Sequence, residues 1–228
     1  MNDIYTVSKN VEKILNGNST NFLDQKLQIQ VKNKLKKGSY KIYKPYKESE
    51  KVIYYTNNKP KVLLYEIVSK NKLLHQEIMG TLFSLGIDPS MYGDILIIDN
   101  HYYIYILDII ENYLISNFNK IKNDKIELKK IDIDFLSNYE REYEEIELIV
   151  SSNRIDTVLS HLIHTSRDKI SEKIKNKEIL VNYDYPKTSY YLKENDIFSI
   201  RRYGKYKYMG VINNTKKDNM VIKILMYR

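Results

Sequence analysis

Hydrophobic and polar residues are patterned most clearly between Pro60 and Ile133, where short continuous apolar runs alternate with apolar residues at helical spacing. Continuous runs of roughly four to eight residues are typical of strands, and repeats of three and four residues are typical of an amphipathic helix. The pattern predicts six elements: a strand over 62–68, a helix over 73–85, strands over 94–98 and 102–107, a helix over 109–118 and a strand over 126–133. The turn residues Asp99 and Asn100 would join the middle two strands into a hairpin.

The βαββαβ order of these elements is that of a ferredoxin-like domain, the arrangement on which many RNA-recognition domains are built. We therefore expect an RRM-like middle domain over residues 60–138. Its third strand places Tyr103 and Tyr105 on one face of the sheet, where open aromatic rings could stack on RNA bases. Tyrosine is favoured in strands in any case and the segment is acidic, so we interpret both residues as packing residues and expect no RNA contact through this sheet.

A second clear pattern, with two helical segments, follows residue 151. The apolar residues of the first helix recur at i, i+3, i+4, i+7 and i+8 and form a single face: Ile155, Val158, Leu159, Leu162 and Ile163. Thr165 or Ser166 can cap a second helix, in which Ile170 and Ile174 form the buried side. Lysines recur every four residues on the adjacent face of this helix, namely at Lys169, Lys173 and Lys177. Like charges at this spacing repel each other, so the stripe indicates either an anionic partner or a solvated face.

Bases and aromatic residues are interleaved over residues 201–208. In an extended backbone, Lys205 and Lys207 would point to one side of the strand while Tyr206 and Tyr208 point to the other. We expect the tyrosines to anchor in the core and the ammonium groups to face phosphates.

The remaining segments are less regular. Residues 1–59 predict a basic α/β subdomain with two helical stretches, the second ended by Gly38, and a short strand near Tyr40. The highly charged residues 139–150 are interpreted as a linker before a C-terminal domain over residues 151–228. The complete chain is thus expected to have an α+β fold.

Charge is distributed unevenly along the chain. Residues 151–228 contain 16 Lys and Arg against 8 Asp and Glu, whereas residues 1–150 contain 21 of each. Within the latter, residues 1–72 are basic, with 15 against 6, and residues 73–150 are acidic, with 6 against 15. A concentrated basic excess is typical of a protein that binds a polyanion such as RNA.

Several classes of function find little support in the composition. The chain has no Cys and only 7 Gly, and it lacks the glycine spacing of a nucleotide-binding loop. His161 and His164 have too few neighbouring ligands for a metal site. Asp94 and Asp99 flank a strand and could be imagined as a catalytic pair, but a strand-end turn explains both more simply. We expect no catalytic residues, metal or cofactor. No apolar run reaches the roughly 20 residues of a membrane span, so we expect a soluble cytoplasmic protein.

The order of motifs after residue 151 resembles that of the S4 (αL) domain, a small RNA-binding unit. The segments that carry the resemblance are Ser152–Asp156, Thr165–Lys169, Ile179–Asn182 and Glu194–Ile200. Three further segments resemble the YlmH family of bacterial proteins: Ser84–Ile87, Gly93–Ile97 and Arg202–Lys207. The resemblance implies a non-catalytic RNA-binding protein on the large ribosomal subunit, near peptidyl-tRNA, that assists rescue or quality control of stalled translation. Its partners would be 23S rRNA, tRNA or both, with no membrane and no small-molecule substrate.

The resemblance carries over seven positions as RNA contacts: Arg154, Ser166, Arg167, Lys169, Asn182, Arg202 and Lys205. The lysine stripe and the basic tail add Lys173, Lys177, Arg201 and Lys207. We expect Arg167 and Lys169, at the start of the second helix, to share one phosphate-binding surface with Arg202 and Lys205. The sequence departs from the S4 pattern at Lys177 and Asn195, where glycine is usual.

Two alternatives remain open. An RNA-modifying enzyme, such as a pseudouridine synthase-like protein, could use the S4 domain for targeting while the acidic middle domain holds its active site. A DNA-associated role is the other.

Overall fold

The computed structural model of the protein describes residues 2–227. The chain forms two compact units with the division between Glu140 and Arg141, and each is described by itself. Both units are mixed α+β and contain antiparallel sheets, in agreement with the expected class of fold. No helix in the described part of the chain is long and apolar enough to cross a membrane.

The first unit begins with two helices and a two-stranded ribbon. The elements are α1 (Asn2–Leu15), α2 (Gln25–Lys32), β1 (Lys41–Tyr43) and β2 (Ile53–Tyr55). The carboxylate of Asp24 caps α2, accepting a hydrogen bond of 2.8 Å from the Leu27 amide. The helix ends at Lys32 rather than at Gly38, which lies in a later turn. The apolar faces of α1 and α2 pack with Leu23, Val52 and Tyr54.

The middle of the first unit contains the elements that the hydrophobic pattern predicts, in the predicted order. They are β3 (Val62–Ser69), α3 (His75–Ser84), β4 (Tyr92–Ile98), β5 (His101–Leu107), α4 (Glu111–Asn117), β6 (Lys120–Ile121) and β7 (Asp124–Ile131). Short 3₁₀ turns precede β4 and α4. The sheet has the order β4-β5-β3-β7-β6, and every pairing is antiparallel.

Both faces of this sheet are covered. Helices α3 and α4 pack on one face, where Ile78 and Leu114 meet Ile104. The other face is covered by the N-terminal segment and residues 133–139, so that Tyr103 and Tyr105 are buried. Tyr105 stacks on Tyr46 with 6.0 Å between ring centroids. The two tyrosines are packing residues, as the sequence predicted, because the chain's own segments cover the face that they occupy.

The second unit is a five-stranded antiparallel sheet with two helices packed on one face. Its elements are β8 (Tyr143–Val150), α5 (Ile155–Leu162), α6 (Arg167–Lys175), β9 (Ile179–Val181), β10 (Ile197–Ile200), β11 (Gly204–Asn214) and β12 (Met220–Tyr227). The strands have the order β8-β12-β11-β10-β9. The core joins Val158 and Ile170 of the helices to Phe198, Tyr206 and Ile224 of the sheet.

The prediction of a linker over residues 139–150 is wrong for most of that segment. Residues 143–150 form β8, which pairs with β12 from Met220 opposite Val150 to Tyr227 opposite Tyr143. The sequence obscured the strand because three of its four exposed positions are glutamates, the fourth being Ile149. Ile146 and Leu148 face the other way and pack against the core. A period of two residues marks a strand even when most of the solvent face is charged.

Lys177 and Asn195, which replace glycines of the S4 pattern, both adopt the left-handed backbone conformation that glycine favours. Their φ angles are 57° and 69°. At the end of α6, the amide of Lys177 donates to the Ile174 carbonyl and that of Glu178 donates to the Lys173 carbonyl, which is the pattern of a glycine-ended helix. The backbone therefore makes the same turn with lysine, at a conformational cost of roughly 1–2 kcal/mol.

Candidate nucleic-acid interface

A buried carboxylate holds two arginines at the start of the helix pair. Asp156, whose side chain is 6% exposed, accepts hydrogen bonds from Arg154 at 2.9 and 3.2 Å and from Arg167 at 2.7 and 3.2 Å. The arginine side chains remain 34% and 50% exposed. Burial opposes ionisation of Asp156, but the hydrogen bonds from the arginines outweigh it, so the pKa of this carboxyl lies below its ordinary value. The cluster has one net positive charge and faces solvent.

The sequence suggested only that Asp156 suits the helix dipole. In the structure it orders both guanidinium groups, which reduces the entropy that a flexible arginine would lose on binding a phosphate. The contact between Asp156 and Arg167 could not be predicted from the sequence, because the two residues lie on different helices and meet only in the folded unit.

The start of α6 adds a capped helix end and a free lysine. The Ser166 hydroxyl accepts a hydrogen bond of 3.3 Å from the Lys169 amide. The Lys169 side chain is exposed, and no ion pair holds it within the described residues. A shallow cavity of about 760 Å³ lies beside it, lined also by His161, His164 and Ile149. Lys169 is thus available to an anion at the helix start.

The other two lysines of the stripe have partners. Lys173 pairs with Glu178 at 2.9 Å and lies 5.7 Å from the centre of the Tyr203 ring. Lys177 lies 5.4 Å from the centre of the Tyr185 ring. The charge of Lys173 is therefore partly neutralised, whereas the aromatic contact of Lys177 leaves its charge intact.

The basic tail is divided between a turn and a strand. Arg201 and Arg202 are exposed in the turn between β10 and β11, and the Arg201 amide donates to the Glu178 carbonyl, next to the end of α6. Tyr206 and Tyr208 are buried, which confirms the predicted alternation.

Lys205 and Lys207 therefore project from the face of the sheet away from α5 and α6. Lys205 donates a hydrogen bond of 2.9 Å to the Tyr183 hydroxyl and lies 4.9 Å from the centre of the Tyr227 ring. The prediction that Lys205 shares one groove with Arg167 is wrong, because the two side chains lie on opposite faces of the sheet.

Asn182 has a structural role in this unit. Its side-chain nitrogen donates to Asp196 at 2.7 Å, and its side-chain oxygen accepts from the Ile197 amide at 3.0 Å. Asp196 also accepts from the Tyr190 hydroxyl at 2.9 Å. Both ends of the amide are thus used within the protein, and the side chain holds the loop after β9.

Sequence reasoning missed an aromatic surface on the loop over residues 182–196. Tyr185 and Tyr191 are 57% and 55% exposed, and they line a shallow cavity of about 570 Å³ together with Lys187 and Lys193. Tyr191 is bridged to Arg154 through the backbone, which places the surface beside the arginine cluster. The dense tyrosines and lysines of this loop were the available signal, obscured by the high tyrosine content of the whole chain.

The carboxylate considered for catalysis is enclosed in the first unit. Asp94 accepts hydrogen bonds from the Tyr46 hydroxyl at 2.8 Å, the Ser49 hydroxyl at 3.1 Å, and the amides of Glu50 and Lys51 at 2.7 and 3.2 Å. Burial raises the pKa of Asp94, against the effect of these donors. The side chain ties the segment after β1 to the sheet. Among the described residues, no cluster of three or more His, Asp or Glu side chains has the geometry of a metal site.

An arginine cluster, an exposed lysine at a helix start and exposed tyrosines in a basic unit are features of a nucleic-acid-binding protein. Residues 58–134 match the family described as the putative RNA-binding domain in YlmH. The matched residues include two of the three segments that resemble the YlmH family in the sequence, Ser84–Ile87 and Gly93–Ile97, and the resemblance to that family is confirmed.

One curated protein and one solved structure are similar to this chain. The chain is 26% identical over 145 residues to "Ribosome-associated protein quality control protein P2" of Bacillus subtilis (strain 168), a match that covers 63% of this chain and 56% of the relative. The match thus spans little more than half of the relative's length. The solved structure of "Cell division protein ylmH from Streptococcus pneumoniae" is similar with a TM-score of 0.47 and 21% identity, over 57% of this chain and 89% of that one.

Proposed function

We propose that this protein binds RNA on the large ribosomal subunit, near peptidyl-tRNA, and assists the rescue of stalled translation by occupying its site, without catalysis. The relevant RNA would be 23S rRNA, tRNA or both. The match to a putative RNA-binding domain and the name of the Bacillus subtilis relative support an RNA-binding, ribosome-associated role. The finer assignment to the large subunit and to stalled complexes rests on the family resemblance of the sequence.

The observation that carries the proposal is the arginine cluster around Asp156. Guanidinium groups present a planar fork of donors that matches a phosphate, and here a buried carboxylate orders Arg154 and Arg167 before any ligand arrives. Lys169 in α6 and Lys177 just beyond its end extend the positive surface. Tyr185 and Tyr191 offer rings for unpaired bases. We assign the second unit an S4-like mode of binding on this basis.

The alternative of an RNA-modifying enzyme has less support. Its candidate carboxylate, Asp94, accepts hydrogen bonds from four donors of the same chain. Both carboxylate oxygens are therefore already engaged within the protein and are poorly placed to act on a substrate. Pure protein incubated with ribosomal RNA should leave the RNA mass unchanged. A mass shift in more RNA molecules than there are protein molecules would establish turnover and overturn the proposal.

Sedimentation with separated ribosomal subunits tests the main claim. The variant Lys169→Glu/Lys177→Glu should lose association with the large subunit at physiological salt, because it reverses one exposed charge in the first turn of α6 and another just beyond its end. The matched control is Lys216→Glu/Lys217→Glu, which makes the same charge change in the exposed turn between β11 and β12. Equal loss in both variants, or preferential association with the small subunit, would contradict the proposed site or partner.

A further inference from the structure

A groove in the first unit combines lysines with tyrosine rings. It has a volume of about 880 Å³ and lies between the segment after β1, the start of β3 and residues 133–137. Six residues of its lining matter here: Tyr43, Lys44, Tyr55, Lys59, Lys61 and Asp134. We call this feature the lysine–tyrosine groove.

The groove has an excess of positive charge. Lys61 lies 3.4 Å from Asp108, and Lys47, which also lines the groove, pairs with Glu140. Lys44 and Lys59 have no carboxylate partner among the described residues, and both are exposed. Asp134 is the one carboxylate among the described lining residues. A polyanion, with negative charges repeated along its length, would complement this surface.

The tyrosines of the groove project from a paired ribbon. Tyr43 and Tyr55 belong to β1 and β2, which pair with each other, and both side chains are half-buried. The Lys59 ammonium lies 5.4 Å from the centre of the Tyr43 ring. Lysines that track a backbone beside rings that stack on bases are the means by which proteins bind single-stranded nucleic acid.

The groove lies at the edge of the segment that covers the sheet face of Tyr103 and Tyr105. The segment that covers this face carries Tyr46, which stacks on Tyr105, and it also supplies Lys44 and Lys47 to the groove. The same segment that closes the aromatic face therefore creates a basic, tyrosine-lined surface at its edge.

We propose that the lysine–tyrosine groove binds a single-stranded RNA segment, as a second site in addition to the surface of α5 and α6. The proposal shares with the proposed function only the assumption that the ligand is RNA. Lys44 and Lys59 would contact phosphates, while Tyr43 or Tyr55 would stack on a base. An acidic peptide is the competing occupant, and the experiment separates the two.

The test uses the full chain carrying Lys169→Glu/Lys177→Glu, so that binding through the second unit is weakened. A fluorescent 12-residue oligouridylate is titrated at several salt concentrations. Adding Lys44→Gln/Lys59→Gln should lower the dependence of log affinity on log salt by about 1.4, because each single-strand phosphate contact contributes about 0.7. Adding Tyr55→Ala instead should weaken binding roughly tenfold, since stacking on an aromatic ring contributes substantially for each base.

The matched control is Lys34→Gln/Lys36→Gln, which removes the same charge from exposed positions after α2. It should leave affinity within about twofold. Thermal unfolding of every variant confirms that the fold survives. A 4-thiouridine oligonucleotide should crosslink to residues 43 or 55.

Three results would overturn the proposal: no oligouridylate binding in the Lys169→Glu/Lys177→Glu background, equal effects of the groove and control variants, or polyglutamate binding that depends on Lys44 and Lys59 while RNA binding does not. The proposed function would survive each of them, because ribosome association is tested separately through α6.

Discussion

Arg167, the first residue of α6, donates to the carboxylate of Asp156 in α5, with 2.7 Å between Nη2 and Oδ2. This ion pair joins the starts of two helices that are separated by a turn in the chain. Since Asp156 is almost fully buried, the arginine is both part of the candidate RNA surface and part of the fold. Charge reversal at Arg167 would therefore change stability as well as binding, and Lys169 is the cleaner position for a binding test.

Replacing Asp156 with Asn should destabilise the second unit by about 2–3 kcal/mol, because hydrogen bonds to charged groups contribute more than neutral ones. Urea denaturation measures the loss. Asp168→Asn is the control, since Asp168 is exposed in the first turn of α6 and should cost less than about 1 kcal/mol. Equal losses would show that the arginine contacts add little to stability.

Acid should weaken the second unit through the same carboxylate. The pKa of Asp156 in the folded state is lowered from an ordinary value of 3.8, with burial opposing the shift and the two arginines causing it. The folded state therefore binds this proton less readily than the unfolded state. The resulting stability is fully present above pH 3.8 and is lost as pH falls through the lower folded-state pKa. The free energy of unfolding, measured from about pH 5 to about pH 2.5, should fall more steeply with acid for the native chain than for Asp156→Asn.

Two buried tyrosines of β5 should respond differently to loss of their hydroxyl groups. The Tyr105 hydroxyl is buried without a hydrogen-bond partner among the described residues, so Tyr105→Phe should be neutral or slightly stabilising. The Tyr102 hydroxyl accepts a hydrogen bond of 2.8 Å from the Leu73 amide, so Tyr102→Phe should cost about 1–2 kcal/mol. Thermal and urea denaturation of the two variants compare them directly, and a cost for Tyr105→Phe equal to that for Tyr102→Phe would indicate a missing partner at Tyr105.

The energetic cost of the left-handed backbone at Lys177, just after α6, can be measured by substituting glycine. Lys177→Gly should preserve the fold and raise stability by up to about 1 kcal/mol, because glycine adopts a φ of 57° without the steric cost that lysine bears. Lys175→Gly, within the last turn of the same helix, should instead cost about 1 kcal/mol. Circular dichroism melts of the two variants distinguish the outcomes. If both lose stability equally, the left-handed conformation is not strained in the native protein.

The sequence predicted best where periodicity is local. The six elements between Pro60 and Ile133 and the alternation of Tyr206 with Lys205 were found because neighbouring residues determine which face each side chain occupies. The strand β8 was missed because its glutamates obscured a period of two. The Asp156–Arg167 contact and the cover over Tyr105 depend on residues distant in the chain, which no single segment reveals.

The pairing of β8 with β12 has a consequence for biosynthesis. Strand β8 lies at one edge of the sheet, and its partner among the described strands is β12, Met220–Tyr227. While the chain is being made, β8 and β11 have no strand between them until residues 220–227 have left the ribosome. The sheet therefore closes after synthesis of residue 227, and a product that stopped before Met220 would expose two unpaired strand edges, which favour aggregation.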